Sequence, residues 1–228
     1  FVTMGRMFDT PVLPRLAELL DEVRVGAIQI PEFQRSYIWT DDQRLRLMDS
    51  IWQGIPIGSL LVWSTTRDRG IKVIKQIGPL ALNHSTKTDL RGYLVDGLQR
   101  ITTLYTALMS LPDGHERDED GRRWPIYFDL EGGQNADLRF RLRHGQQQIP
   151  VSWLPLSCLL SDSLFLEFRE KLVAASRKDL LDEARRLETR FRDYVVPVIP
   201  LVSNDPNLVT EAFTRVNNPV SYTHMTLP

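Results

Sequence analysis

Residues 93–109, YLVDGLQRITTLYTALM, place an apolar segment and a helical segment end to end, with only Asp96-Gly97 between them. YLV reads as a buried strand and LQRITTLYTALM as a helix. With no loop between them, sheet and helix must share one core, which commits this part of the chain to a mixed α/β layer. A plain turn needs the glycine and can use the aspartate. It has no need of Gln99 and Arg100 immediately after.

The helix N-terminus supplies one reason for them. Its first backbone N–H groups lack partners and carry roughly half a positive charge from the aligned peptides. Glycine permits close approach of an anion there, and Arg100 can grip phosphate with a planar fork of donors. Thr102 and Thr103 add hydroxyls, and Asp96 can hold a metal ion or position a water. The competing reading is structural: Asp96 caps the helix, Gln99 completes a D-x-x-Q box, and Arg100 is a surface residue. The pattern leaves both open. The chain has no GxxxxGK[ST] phosphate loop.

The neighbouring segments follow the same logic. Residues 11–23 read as a helix with Leu13, Leu16, Leu19, Leu20 and Val23 on one face. Pro31 keeps Ile30 extended. Thr40-Asp41-Asp42-Gln43 has capping-box spacing, so a second helix begins there, with Leu45, Met48, Ile51 and Trp52 buried and Gly54 as its stop. SLLVW (59–63) and a segment around IKVIK (71–75) read as strands, and 78–92 as a loop. PDGHERDEDGRR (112–123) reads as a solvated charged loop. WPIYFDL and LRFRLRH read as strands, the second with Leu138, Phe140 and Leu142 inward and its three arginines outward in solvent. From Asp162 two charged amphipathic helices are expected, joined near Ser176-Arg177. The prolines of YVVPVIPLV then confine that strand to a sheet edge or bulge, and a last helix covers 207–215.

Two further stretches carry chemistry. In IPEFQRSYIW (30–39), burial of Phe33, Tyr37 and Trp39 would fix Gln34 and Arg35 in place; otherwise these aromatics staple the next helix and the polar pair is solvated. In FTRVN (213–217), Arg215 and Asn217 close a helix. Composition narrows the rest. With 28 basic and 29 acidic side chains the net charge is -1, so no chain-wide basic field for nucleic acid exists. The single cysteine, Cys158, forms no internal disulfide, sits among apolar neighbours as a packed thiol, and suits a reducing cytosol. The four histidines are scattered, which argues against zinc. No run is long and apolar enough for a membrane span, and FVTMGRMFDT is no signal peptide. The missing initiating Met reads as a fragment at that end.

Taken together and in order, IPEFQRSYIW, DSIWQGIPIGSLLVW, YLVDGLQRITTLYTA and EAFTRVN resemble the N-terminal domain of GmrSD-type restriction endonucleases over residues 8–218. The resemblance implies an α+β fold with a ParB/sulfiredoxin-like core of short strands and helices over 1–155, and a helical extension with an edge strand over 156–218. It implies binding and hydrolysis of a nucleoside triphosphate with magnesium, coupled to recognition or cleavage of modified foreign DNA. The family's Asp-Gly-Gln-Gln-Arg signature falls on Asp96, Gly97, Gln99 and Arg100, with Leu98 in place of the first glutamine; this bears on hydrolysis if that amide orients water. Asp96 and Arg100 would be catalytic. Gln34, Arg35, Gly97, Gln99 and Thr102 would line the nucleotide, with the family's FQR element on Phe33, Gln34 and Arg35 as a second wall. The implied partners are DNA, a nuclease domain or subunit that nothing here supplies, and another copy of the chain; a membrane is not among them. The alternative is a nucleotide-gated DNA-binding adaptor without turnover. The tail NPVSYTHMTLP departs from the family pattern, so 219–228 is expected to be non-native or disordered.

Overall fold

The computed structural model describes residues 9–34, 36–65, 70–82, 91–110, 125–132, 138–143, 148–203 and 205–217. Arg35, all four histidines, the 112–123 loop and the 219–228 tail lie outside them. In chain order the elements are α1 (Leu16–Arg24), β1 (Ile28–Gln29), α2 (Asp41–Gln53), β2 (Leu60–Thr65), β3 (Gln76–Ile77), β4 (Leu80–Ala81), β5 (Arg91–Asp96), α3 (Leu98–Met109), β6 (Ile126–Asp129), β7 (Phe140–Leu142), β8 (Trp153–Pro155), α4 (Asp162–Ala174), α5 (Leu181–Asp193), β9 (Val198–Val202) and α6 (Pro206–Asn217). This is a mixed α+β fold.

The main sheet runs β1-β5-β2-β9. β5 lies antiparallel to β2 and parallel to β1, while β9 runs parallel to β2 at the edge. The edge position suits Pro197 and Pro200, which cannot donate to a further neighbour. A smaller sheet, β7-β6-β8, is antiparallel throughout. One continuous apolar cluster joins Leu16 and Leu20 of α1, Met48 of α2, Leu94 of β5, Leu104 of α3, Phe128 and Phe140 of the small sheet and Leu187 and Phe191 of α5. The helical extension and the strands before it therefore share a core.

Local chemistry explains most boundaries. The Thr40 hydroxyl accepts from the Gln43 amide at 3.3 Å and Gln43 Oε1 accepts from the Thr40 amide at 2.9 Å, closing the expected box. Gly54 ends α2 in the left-handed conformation, φ 75°. Ser176, at φ 59°, marks the break after α4. Cys158 is buried as a free thiol. Among the described residues no helix is long and apolar enough to cross a membrane.

Three expectations are corrected. The first helix begins at Leu16, because Val12 and Arg15 instead form bridges to Val198 and Val195. IKVIK is not a strand: only Val73 makes an isolated bridge, to Pro31, and pairing moves to Gln76-Ile77 against Leu80-Ala81 across Gly78. Arg139 is buried, 8% exposed, and does not face solvent. It stands one residue before β7 and folds back over the Phe128 ring, 4.2 Å from its centroid.

Candidate functional site

β5 ends at Asp96, opposite Leu61 of β2, at the point where the β2–β5 register shifts. Such irregularities bend a strand and re-aim its last side chains. Gly97 follows at φ 107°, ψ 12° and is the N-cap of α3, with no side chain capping the helix. Asp96 is thus not the cap, and Gln99 completes no box; the local structural reading of this motif fails. Why the position is glycine is also clear. A Cβ on Gly97 would lie 2.2 Å from Leu60 Cδ2. The space beside it belongs to the core, so Gly97 is required by Leu60 and by its own backbone angle.

Arg100 lies four residues beyond Asp96, one helical turn along, and its Nη2 donates to Asp96 Oδ2 at 2.8 Å. Its Nη1 donates to the Ile57 and Ser59 carbonyls at 3.1 and 2.9 Å. Gly58, between them at φ 85°, makes room: a Cβ there would lie 2.8 Å from Arg100 Nη1. The pair is neither sealed nor free, with side chains 16% exposed for Arg100 and 31% for Asp96. Three of the arginine's donor contacts are therefore internal. A carboxylate–guanidinium pair with two added carbonyl bonds fixes both side chains at the start of α3.

The 34–39 segment is tied across this site by two amide side chains. Gln34 Nε2 donates to the Leu94 and Val95 carbonyls at 2.6 and 3.3 Å. Gln99, buried in α3, accepts from the Ile38 and Trp39 amides at 2.9 and 3.2 Å and donates to the Ser36 carbonyl at 3.1 Å. Thr103 donates to the Gln99 carbonyl at 2.8 Å, so the Tyr37 hydroxyl, 2.7 Å away, donates to Thr103. Gln34, Asp96, Gly97, Gln99 and Arg100 are thus brought together. Thr102 is not: it is buried, and its carbonyl accepts from the Thr106 hydroxyl. Phe33 is 64% exposed, contrary to the expected burial of the aromatics around it, whereas Trp39 packs on the core. Leu98 also packs against the core.

GIPIG (54–58) reads from sequence as a turn, but the bonds from Arg100 to its Ile57 carbonyl and the adjoining Ser59 carbonyl, and the Tyr37–Thr103 contact, do not. Nothing local says that the Ser59 carbonyl faces an arginine 41 residues on. Because one Gln99 side chain satisfies three backbone groups, we expect Gln99→Leu to release the segment. Amide exchange at Ile38 and Trp39 should rise by about tenfold or more as the local opening energy falls. Unchanged protection, read by mass spectrometry, would mean that the segment is held by something else.

Among the described residues no three His, Cys, Asp or Glu side chains gather in a way that could hold a metal ion. Comparison with known proteins gives one family match: the model for the GmrSD restriction endonuclease N-terminal domain covers residues 16–220. A search of curated proteins finds no match.

Proposed function

The chain belongs to the GmrSD restriction endonuclease N-terminal domain family, and from that premise we propose that it is a triphosphate-binding and -hydrolysing sensor domain of a modification-dependent DNA restriction system. The observation that carries the reading is the partly exposed Asp96–Arg100 pair at an α3 start that no side chain caps. Amides at such a start favour an anion. Arg100, already aimed by the Ile57 and Ser59 carbonyls, would turn its remaining donor capacity to phosphate oxygens. Gln34, bonded to β5, and residues 36–39, held by Gln99, would form the second wall.

Magnesium, which the resemblance implies, would supply positive charge to the phosphates, and Asp96 is the carboxylate that would hold it. One carboxylate suits an ion carried by phosphate and water, not a cage built by protein. Catalysis would then rest on charge stabilisation and positioning. DNA and a nuclease domain or subunit would be the partners, in a reducing cytosol that suits the single buried thiol.

The test is calorimetry with each magnesium–nucleoside triphosphate on the wild-type chain and on Arg100→Ala, with a thermal melt of both. Arg100→Ala should weaken binding by about 1–3 kcal/mol, as for a charged hydrogen bond. Equal affinity would remove Arg100 from the role, and no heat with any triphosphate would remove the reading. One observation favours the non-hydrolysing alternative. Leu98, where the family signature has glutamine, lies against the core and cannot orient water. Binding without phosphate release, with or without DNA, would select that nucleotide-gated adaptor.

A further inference from the structure

A cleft of about 960 Å³ lies on the far side of the Ile57–Ser59 turn, between that turn and α5. The exposed face of α5 lines it with Arg185, Arg186, Thr189 and Arg190, while Asp182 and Asp193 stand at the two ends of the helix. The middle of this wall is therefore cationic. Arg186 is paired with Glu183 at 3.3 Å in a contact that leaves the arginine 69% exposed; such pairs hold little. Among the described residues, Arg185 and Arg190 form neither a hydrogen bond nor an ion pair within 4 Å. The Arg190 guanidinium reaches across to Gly54, its Nη1 3.2 Å from where a Cβ would stand.

The rest of the lining, from α2, the segment after it and the residues before β9, is largely apolar. It contains Pro56, Ile57, Pro197 and Trp52. The Trp52 ring is held edge-on to Phe128 with centroids 5.2 Å apart. Tyr194 closes the floor: its hydroxyl donates to the Ile55 carbonyl at 2.9 Å and accepts from the Ile57 amide at 3.1 Å. Burial holds that phenol above its ordinary pKa, so it stays neutral.

The exposed guanidinium forks of Arg185 and Arg190, and the loosely paired one of Arg186, beside apolar and aromatic side chains match a ligand with phosphates on one side and flat rings on the other. We propose that this cleft binds a single strand of nucleic acid, its phosphates along Arg185, Arg186 and Arg190 and its bases against the Trp52–Pro56 wall. The wall from Asp182 to Asp193 is about 16 Å long at the helical rise, room for a few nucleotides. A duplex, with its bases stacked inside, offers that wall nothing.

The test is fluorescence anisotropy of a short labelled thymidine oligonucleotide with the full chain, run without triphosphate so that it does not depend on the reading above. The Arg185→Ala/Arg190→Ala variant should bind at least about tenfold more weakly. Its log K against log salt should be shallower by about 1.4, since each phosphate contact on a single strand contributes about 0.7. Arg24→Ala, on an exposed face of α1, should bind as the wild type does. Both arginines are exposed, so unchanged circular dichroism and melting are expected and show that the variant is folded. No binding by the wild type, equal affinity in the double variant, equally tight binding of duplex, or equal competition by polyglutamate would each overturn the proposal.

Discussion

Gly97→Ala should destabilise the chain by roughly 2–5 kcal/mol, the sum of two separable costs. An L-residue at φ 107° is strained by about 1–2 kcal/mol in left-handed backbone, and an added methyl in a filled core costs about 1–3 kcal/mol. The methyl would sit 2.2 Å from Leu60 Cδ2, and Leu60, 1% exposed, has nowhere to go without moving the first residue of β2. Leu60→Ala alone should cost about 2–5 kcal/mol by opening a cavity. In the double variant the methyl partly fills that cavity. The two losses should then fall short of additive by about 1 kcal/mol or more, as for residues in contact. Urea unfolding of all four proteins measures this. If Gly97→Ala keeps wild-type stability yet no longer binds a triphosphate, the glycine serves ligand approach and this packing account is wrong.

What was legible in the sequence follows from how far each interaction reaches along the chain. The Thr40 box is local, closing over three residues, and it reads correctly from four letters. The join at Asp96-Gly97 is legible as strand and helix because hydrophobic spacing changes there. Its polar residues were not legible, because their partners are remote: Gln99 serves Ser36, Ile38 and Trp39, and Arg100 serves Ile57 and Ser59. Three of the four motifs read in order, IPEFQRSYIW, DSIWQGIPIGSLLVW and YLVDGLQRITTLYTA, marked residues that end up together, without saying how. Gln34 reaches the β5 carbonyls through an amide that pattern alone could equally have left in water. The α5 cleft left no motif at all, because a row of arginines on a charged helix reads as a solvated face until apolar and aromatic side chains are seen beside it.

Alternation misled at Arg139, and the misreading carries the second large effect. Arg139 Nε donates to the Asp129 carbonyl at 3.0 Å and Nη2 to the Leu130 carbonyl at 3.1 Å, while Nη1 pairs with Glu183. The Asp129 amide donates back to the Arg139 carbonyl at 3.0 Å. One guanidinium, stacked on Phe128, thus pins the small sheet to α5. Arg139→Ala would strand the Leu130 carbonyl, leave the Asp129 carbonyl with the Gly132 amide alone, and leave Glu183, 20% exposed, with only the surface residue Arg186. Removing one partner of a buried pair costs about 3–5 kcal/mol. In a chain of this length that lowers the melting temperature by about 6–20 °C. Arg139→Lys should fall between, since an ammonium keeps the charge but not the planar fork that serves three acceptors and a ring. Pairing Arg139→Met with Glu183→Leu should recover much of the loss, because a buried ion pair replaced whole by apolar groups is often neutral. Arg139→Ala melting with the wild type would return this arginine to the solvent face that simple alternation assigns it.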